Sequence, residues 1–140
     1  MSRADTFTIV SKTPEYYSDF LSNFDTNPVT GLLARVTNEE AVKQSIKFLI
    51  LTRLTERFYD PHKGSKVNAV LFDPIDAITE NQLRTSITTC IDQFEPRANL
   101  LNVVVNGHPE RNAYFVEIWF TIINIPNKTF NVNVVLKRVR

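Results

Sequence analysis

The residues of this chain best suited to chemistry meet at one seam. Residues 91 to 105 read IDQFEPRANLLNVVV, so that an acid and a base, Glu95 and Arg97, flank Pro96 where a helical pattern gives way to a strand pattern. Such a pair could serve acid–base catalysis, lock a turn, or face a partner. Cleavage of a glycosidic bond needs two carboxyls, one of them with a raised pKa. Glu56, Glu95 and Glu117 are the candidates, but Glu56 precedes Arg57 and Glu95 has Arg97 close by. A neighbouring base lowers a carboxyl pKa, the wrong direction for a general acid. The two histidines, His62 and His108, lie in turn-like segments beside prolines, and no nucleophile motif stands near either. With three glycines there is no phosphate-cradling loop, and no HExxH, CxxC or calcium-loop pattern occurs. No catalytic residue, cofactor or metal site is expected. The single cysteine, Cys90, has no partner for a disulfide or a zinc set and falls on an apolar helical stripe, which predicts a buried thiol.

The elements that must position these groups follow from composition and period. A chain of 140 residues, 43% hydrophobic and 22% charged, suffices for one compact soluble domain. Sixteen bases against 15 acids leave a net charge of +1, too little for a long-range field that would draw in nucleic acid or anionic membrane. No apolar run reaches signal-peptide or membrane-spanning length, which points to synthesis and assembly in a cytoplasm. Residues 1–15 are polar without period and read as a flexible or partner-ordered arm, leaving 16–140 as the single domain.

Within that domain a short N-terminal strand precedes two main helices. Thr37 and Glu40 have capping-box spacing, predicting a first helix from about Asn38 to Leu54 with Val42, Ile46, Leu49 and Ile50 on one face. Residues 55–67 read as an irregular loop, pinned by a turn at AVLFD through Val70, Leu71 and Phe72. Thr79 and Gln82 predict a second box, opening a helix with Leu83, Ile87, Cys90, Ile91 and Phe94 along its stripe and ended by Pro96. The period then changes to two. LLNVVV, AYFVEIWFTII and TFNVNVVLKRV predict an antiparallel three-stranded meander, with Tyr114, Val116, Ile118, Phe120 and Ile122 on the face that carries the helices. The result is an α+β two-layer domain.

Several strings in this order together resemble the baseplate wedge, or sheath-initiator, family of contractile phage tails. That family is historically labelled lysozyme-like and is shared with type VI secretion baseplates. The strings are YSDF at 17–20, NPVTGLLARVTNEEAVKQSIKFLILT at 27–52, Glu56-Arg57 with Pro61 and Gly64-Ser65, LFDP at 71–74, and Glu95-Pro96-Arg97 leading into the meander. Leu54-Thr55 stand where the family often has Pro-Gly, and Lys63 where it often has Phe. The resemblance implies a non-enzymatic part of the virion tail baseplate, assembled in the host cytoplasm. Six copies would be held by wedge scaffold proteins, beside tube or hub proteins, and each would template the first ring of tail sheath by strand addition. The alternatives it leaves are a tail-associated peptidoglycan hydrolase and a type VI secretion counterpart. The last strand, with Phe130, Val132, Val134, Leu136, Lys137 and Arg138, is the expected sheath-docking element, because it ends the meander and should lie at a sheet edge. An acid at a helix C-terminus needs a compensating charge, so Glu95 and Arg97 are expected to join Glu56 and Arg57 in one network, with Arg57 or Arg53 as the bidentate partner of Glu95, or else to face a scaffold chain.

Overall fold

A computed structural model describes residues 14–138. Its elements run β1 (Ser18–Phe20), β2 (Arg35–Thr37), α1 (Asn38–Leu51), α2 (Val67–Val70), α3 (Ala77–Phe94), β3 (Ala98–His108), a 3-10 turn (Pro109–Arg111), β4 (Ala113–Ile122) and β5 (Ile125–Lys137). β1 and β2 form a small antiparallel ribbon, and β3, β4 and β5 form the meander in that spatial order. The expected α+β architecture with two main helices and a C-terminal antiparallel sheet is present. The flexible-arm expectation for 1–15 falls mostly on residues 1–13, outside the described residues.

The core is set by side-chain parity. Tyr114, Val116, Ile118, Phe120 and Ile122 of β4 are buried together with Phe130, Val132, Val134 and Leu136 of β5. They meet Val42, Ile46 and Ile50 of α1 and Leu83, Ile87 and Ile91 of α3. Each fully buried aliphatic or aromatic side chain is worth about 1.5–3 kcal/mol relative to exposure. A one-residue slip in the strands would turn that whole set outward. Among the described residues no second layer covers the opposite sheet face, which carries Leu101, Trp119 and Val135 in the open. No helix among the described residues is long and apolar enough to cross a membrane.

Local details depart from the sequence expectation in four places. Thr37 occupies the N-cap of α1 but its hydroxyl makes no cap bond. The neighbouring Asn38, at φ 46°, instead uses its side chain to tie down the N-terminal segment: its Oδ1 accepts from the amide of Tyr16 at 2.8 Å and its Nδ2 donates to the Pro14 carbonyl at 2.9 Å. Asparagine is among the few residues that tolerate that backbone. The second cap is Asp76 rather than Thr79, since the Asp76 carboxylate accepts from the Thr79 amide at 2.7 Å and α3 therefore begins at Ala77. That bond holds the Asp76 carboxyl below the usual range. α1 ends at Leu51, three residues earlier than expected, and Phe72 lies exposed while Val67 and Leu71 do the pinning.

Candidate functional site

The seam is built where α3 stops. The Glu95 amide still donates to Ile91, but Pro96 disfavours helical geometry at the residue before it, and Glu95 sits at φ −123°. Its side chain turns inward and is 2% exposed. Arg97 grips it in a bidentate pair, with Nε 2.6 Å from Oε1 and Nη2 2.8 Å from Oε2. Burial alone would raise the Glu95 pKa. The Arg97 bonds, with help from the Ser45 hydroxyl, outweigh burial and hold the carboxyl below its ordinary range, while Glu95 pushes the Arg97 guanidinium further up.

Arg97 also lies over the Tyr17 ring, 5.5 Å from its centroid, and the Tyr17 hydroxyl accepts from Asn124 Nδ2 at 2.7 Å. One ion pair therefore ties the end of α3, the segment preceding β1 and the β4–β5 turn. The expected partnership with Glu56, Arg57 or Arg53 is not formed. The Glu56 carboxylate accepts from the Arg53 amide at 2.7 Å, inside its own loop, and among the described residues no ion pair joins Glu95 to Arg53 or Arg57, or Arg97 to Glu56. The reason is proximity: Arg97 is two residues away and already presents its flat fork. The loop itself is closed by the Thr55 amide on the Pro61 carbonyl and a bridge between Arg53 and Ser65, and it presents Phe58 and Tyr59 fully to solvent.

The two sheet edges differ at the Gly107 end of β3. The Arg138 amide donates to the Asn112 carbonyl at 2.9 Å, one step beyond the Ala113–Lys137 pair. Antiparallel pairing alternates, so Phe130, Val132, Val134 and Leu136 exchange hydrogen bonds with β4, and Asn131, Asn133, Val135 and Lys137 aim their amides and carbonyls away from the sheet. The side chains of Phe130, Val132, Val134 and Leu136 belong to the core; what faces outward is the backbone of the residues between them. On the far edge, the Gly107 amide of β3 points outward and donates to Glu80 Oε1 of α3 at 2.8 Å. A Cβ at Gly107 would lie 2.6 Å from Ile75 Cγ2, so the end of that edge is sealed by the loop and helix above it. No sequence signal pairs Glu80 with Gly107, 27 residues on.

The remaining chemical candidates stand apart. Glu56 is in the loop and Glu117 is exposed on the open sheet face, so the three carboxyls weighed for a hydrolase do not converge. His108 lies 2.9 Å from Glu110 on an exposed turn, and His62 borders a cleft of about 750 Å³ beside α3. Cys90, at the base of that cleft, is buried, and burial pushes its thiol up to about 11. Among the described residues no group of three or more histidine, cysteine, aspartate or glutamate side chains converges as metal ligands would.

Fold and site together define a small two-layer α+β domain, with a bidentate Glu95–Arg97 ion pair and a last strand whose outer backbone is unpaired among the described residues. Residues 36–127 match the family model described as baseplate wedge protein gp25, and the chain belongs to that family. The baseplate wedge protein gp25 of Enterobacteria phage T4 is 27% identical over 95 residues, covering 68% of this chain and 72% of the relative. Two solved structures share the fold. One is a protein of Geobacter sulfurreducens described as a candidate tail lysozyme, with TM-score 0.67 and 21% identity over 73% of this chain and 92% of the other. The second is a chain of the six-fold symmetrised anti-feeding prophage baseplate, with TM-score 0.61 and 19% identity over 89% and 87% of the two chains. This protein is thus a baseplate wedge component of contractile tail systems.

Proposed function

We propose that this chain links the wedge scaffold to the tail sheath and templates the first sheath ring by accepting a sheath strand along β5. The observation that carries this reading is the contrast between edges: β5 offers the outward backbone of Asn131, Asn133, Val135 and Lys137, whereas β3 is sealed at Gly107 by Glu80. Unpaired strand backbone gives affinity to an incoming strand, and alternate side chains set its register. The Glu95–Arg97 pair serves as an internal lock that fixes the N-terminal segment against the sheet. The loop outside that lock presents Arg57, Phe58 and Tyr59 to the scaffold. Six copies per ring are in keeping with the six-fold symmetrised baseplate that contains the similar chain.

Truncating the last strand does not test the reading, because residues 129–140 include four core side chains and the domain would unfold. Asn133→Pro is the cleaner perturbation. Proline is tolerated on an edge strand where its N–H would face solvent, and it removes the outward donor at the centre of the edge. Tails assembled with this variant should have complete baseplates without sheath, counted by negative-stain microscopy. Normal sheath on those tails overturns the reading. Lysis of peptidoglycan by the purified protein in a turbidity assay, abolished by changing Glu95 or Glu56, would replace it with a hydrolase. Neighbouring secretion genes would make the same module a type VI secretion part.

A further inference from the structure

The outer edge of β5, unpaired among the described residues, does not open onto bare solvent on its helix side. Between β5, the outer face of α1 and the ribbon that follows Tyr17 lies a cleft of about 460 Å³. Its walls include Asn131 and Asn133, two of the residues whose backbone points outward, and opposite them Lys43, Lys47 and Phe48. Gln44 holds the ribbon wall in place: its Nε2 donates to the Phe20 carbonyl at 2.8 Å and its Oε1 accepts from the Ser22 amide at 3.1 Å. A strand laid along β5 would project every second side chain into this cleft.

The charge there is unbalanced. Lys43 is paired with Glu40 at 2.9 Å, but Lys47 is exposed and makes no ion pair among the described residues. Further along the strand, Lys128 is drawn off by Glu39 at 3.0 Å, and Lys137 and Arg138 follow. A second copy of this chain is a poor occupant. Its β5 carries no acid from Thr129 to Arg138, and an antiparallel pair centred on Asn133 would set Lys137 of each copy opposite Thr129 and beside Lys128 of the other, with no acid on either strand to meet it. Lysines beside an edge are a usual defence against such self-pairing.

We infer that the β5 cleft selects its strand by charge, accepting an extended segment of another protein that places an acidic side chain opposite Lys47 and an apolar one opposite Phe48. This rests on the strand-addition reading and names the chemistry of the strand. The lysines then act in two directions, turning away copies of the chain itself and admitting the intended partner.

Two substitutions separate the inference from the reading beneath it. Lys47→Glu lies on an exposed helix position, so the purified variant should melt as the parent does, and an unchanged melt confirms that it is folded. In assembling tails, Lys47→Glu should reduce the fraction of baseplates bearing sheath by about fivefold, the effect of roughly one cross-strand charge pair, while Lys47→Gln falls between the two and Asn133→Pro leaves none. Sheath lost with Asn133→Pro but undiminished with Lys47→Glu would overturn the acidic strand and leave strand addition standing. Normal sheath with Asn133→Pro would overturn both.

Discussion

Replacing Glu95 by Gln is the most direct probe of the seam. The carboxylate is 2% exposed and accepts two N–H bonds from Arg97, so Gln keeps one acceptor but turns an N–H₂ group toward the guanidinium. Losing a charge-assisted bond is worth about 1.5–3 kcal/mol. Arg97 is 31% exposed and can recover water, which places the expected loss near the lower half of that range, about 2 kcal/mol. For a domain of this size that lowers the melting temperature by roughly 6–10 °C at neutral pH. The pH dependence supplies a second readout. Glu95 has its folded pKa below the unfolded value, so the unfolded chain takes up its proton first as pH falls. The stabilisation is complete above the ordinary carboxylate range and drains away as pH drops through the lower folded value. The gap between parent and Glu95→Gln should therefore be widest at pH 7 and close in acid. A variant as stable as the parent at pH 7, yet unable to enter baseplates, would refute the internal lock and place Glu95 on a partner.

Two further outcomes follow from backbone and burial. Gly64→Ala puts a Cβ 2.7 Å from the Arg53 carbonyl oxygen and 3.0 Å from that of Thr52, so backbone must move and the loss in denaturant unfolding should be about 1–3 kcal/mol. Cys90, buried with its thiol at about 11, should resist an aromatic disulfide reagent at pH 8 in the native protein and react at once in guanidinium chloride.

The fold was legible because period carries it. Leu83, Ile87 and Ile91 recur at helical spacing, Tyr114 to Ile122 alternate, and Pro96 marks the boundary between the two regimes. The seam was legible only in part. Glu95 did need a compensating base, but the string alone could not choose among Arg53, Arg57 and Arg97, since the choice depends on the direction the side chain takes where α3 ends. The capping-box spacing at Thr79 misled because Asp76, three residues before it, takes the N-cap and starts the helix a turn earlier, leaving Thr79 as the residue whose amide is capped. The difference between the two sheet edges was beyond reach of local pattern. It depends on Glu80 meeting Gly107 and on the hydrogen-bond phase of β5, both consequences of tertiary closure.

That phase has one more consequence. In β5 the residues that complete the interior and the residues that offer free backbone are interleaved one by one, so neither set can exist without the other. Among the described residues this edge is inseparable from the packed interior, so it cannot bind before the domain is finished. If β5 accepts a strand as proposed, recognition becomes a report on the folded state of the subunit, because a misfolded copy would present no such edge.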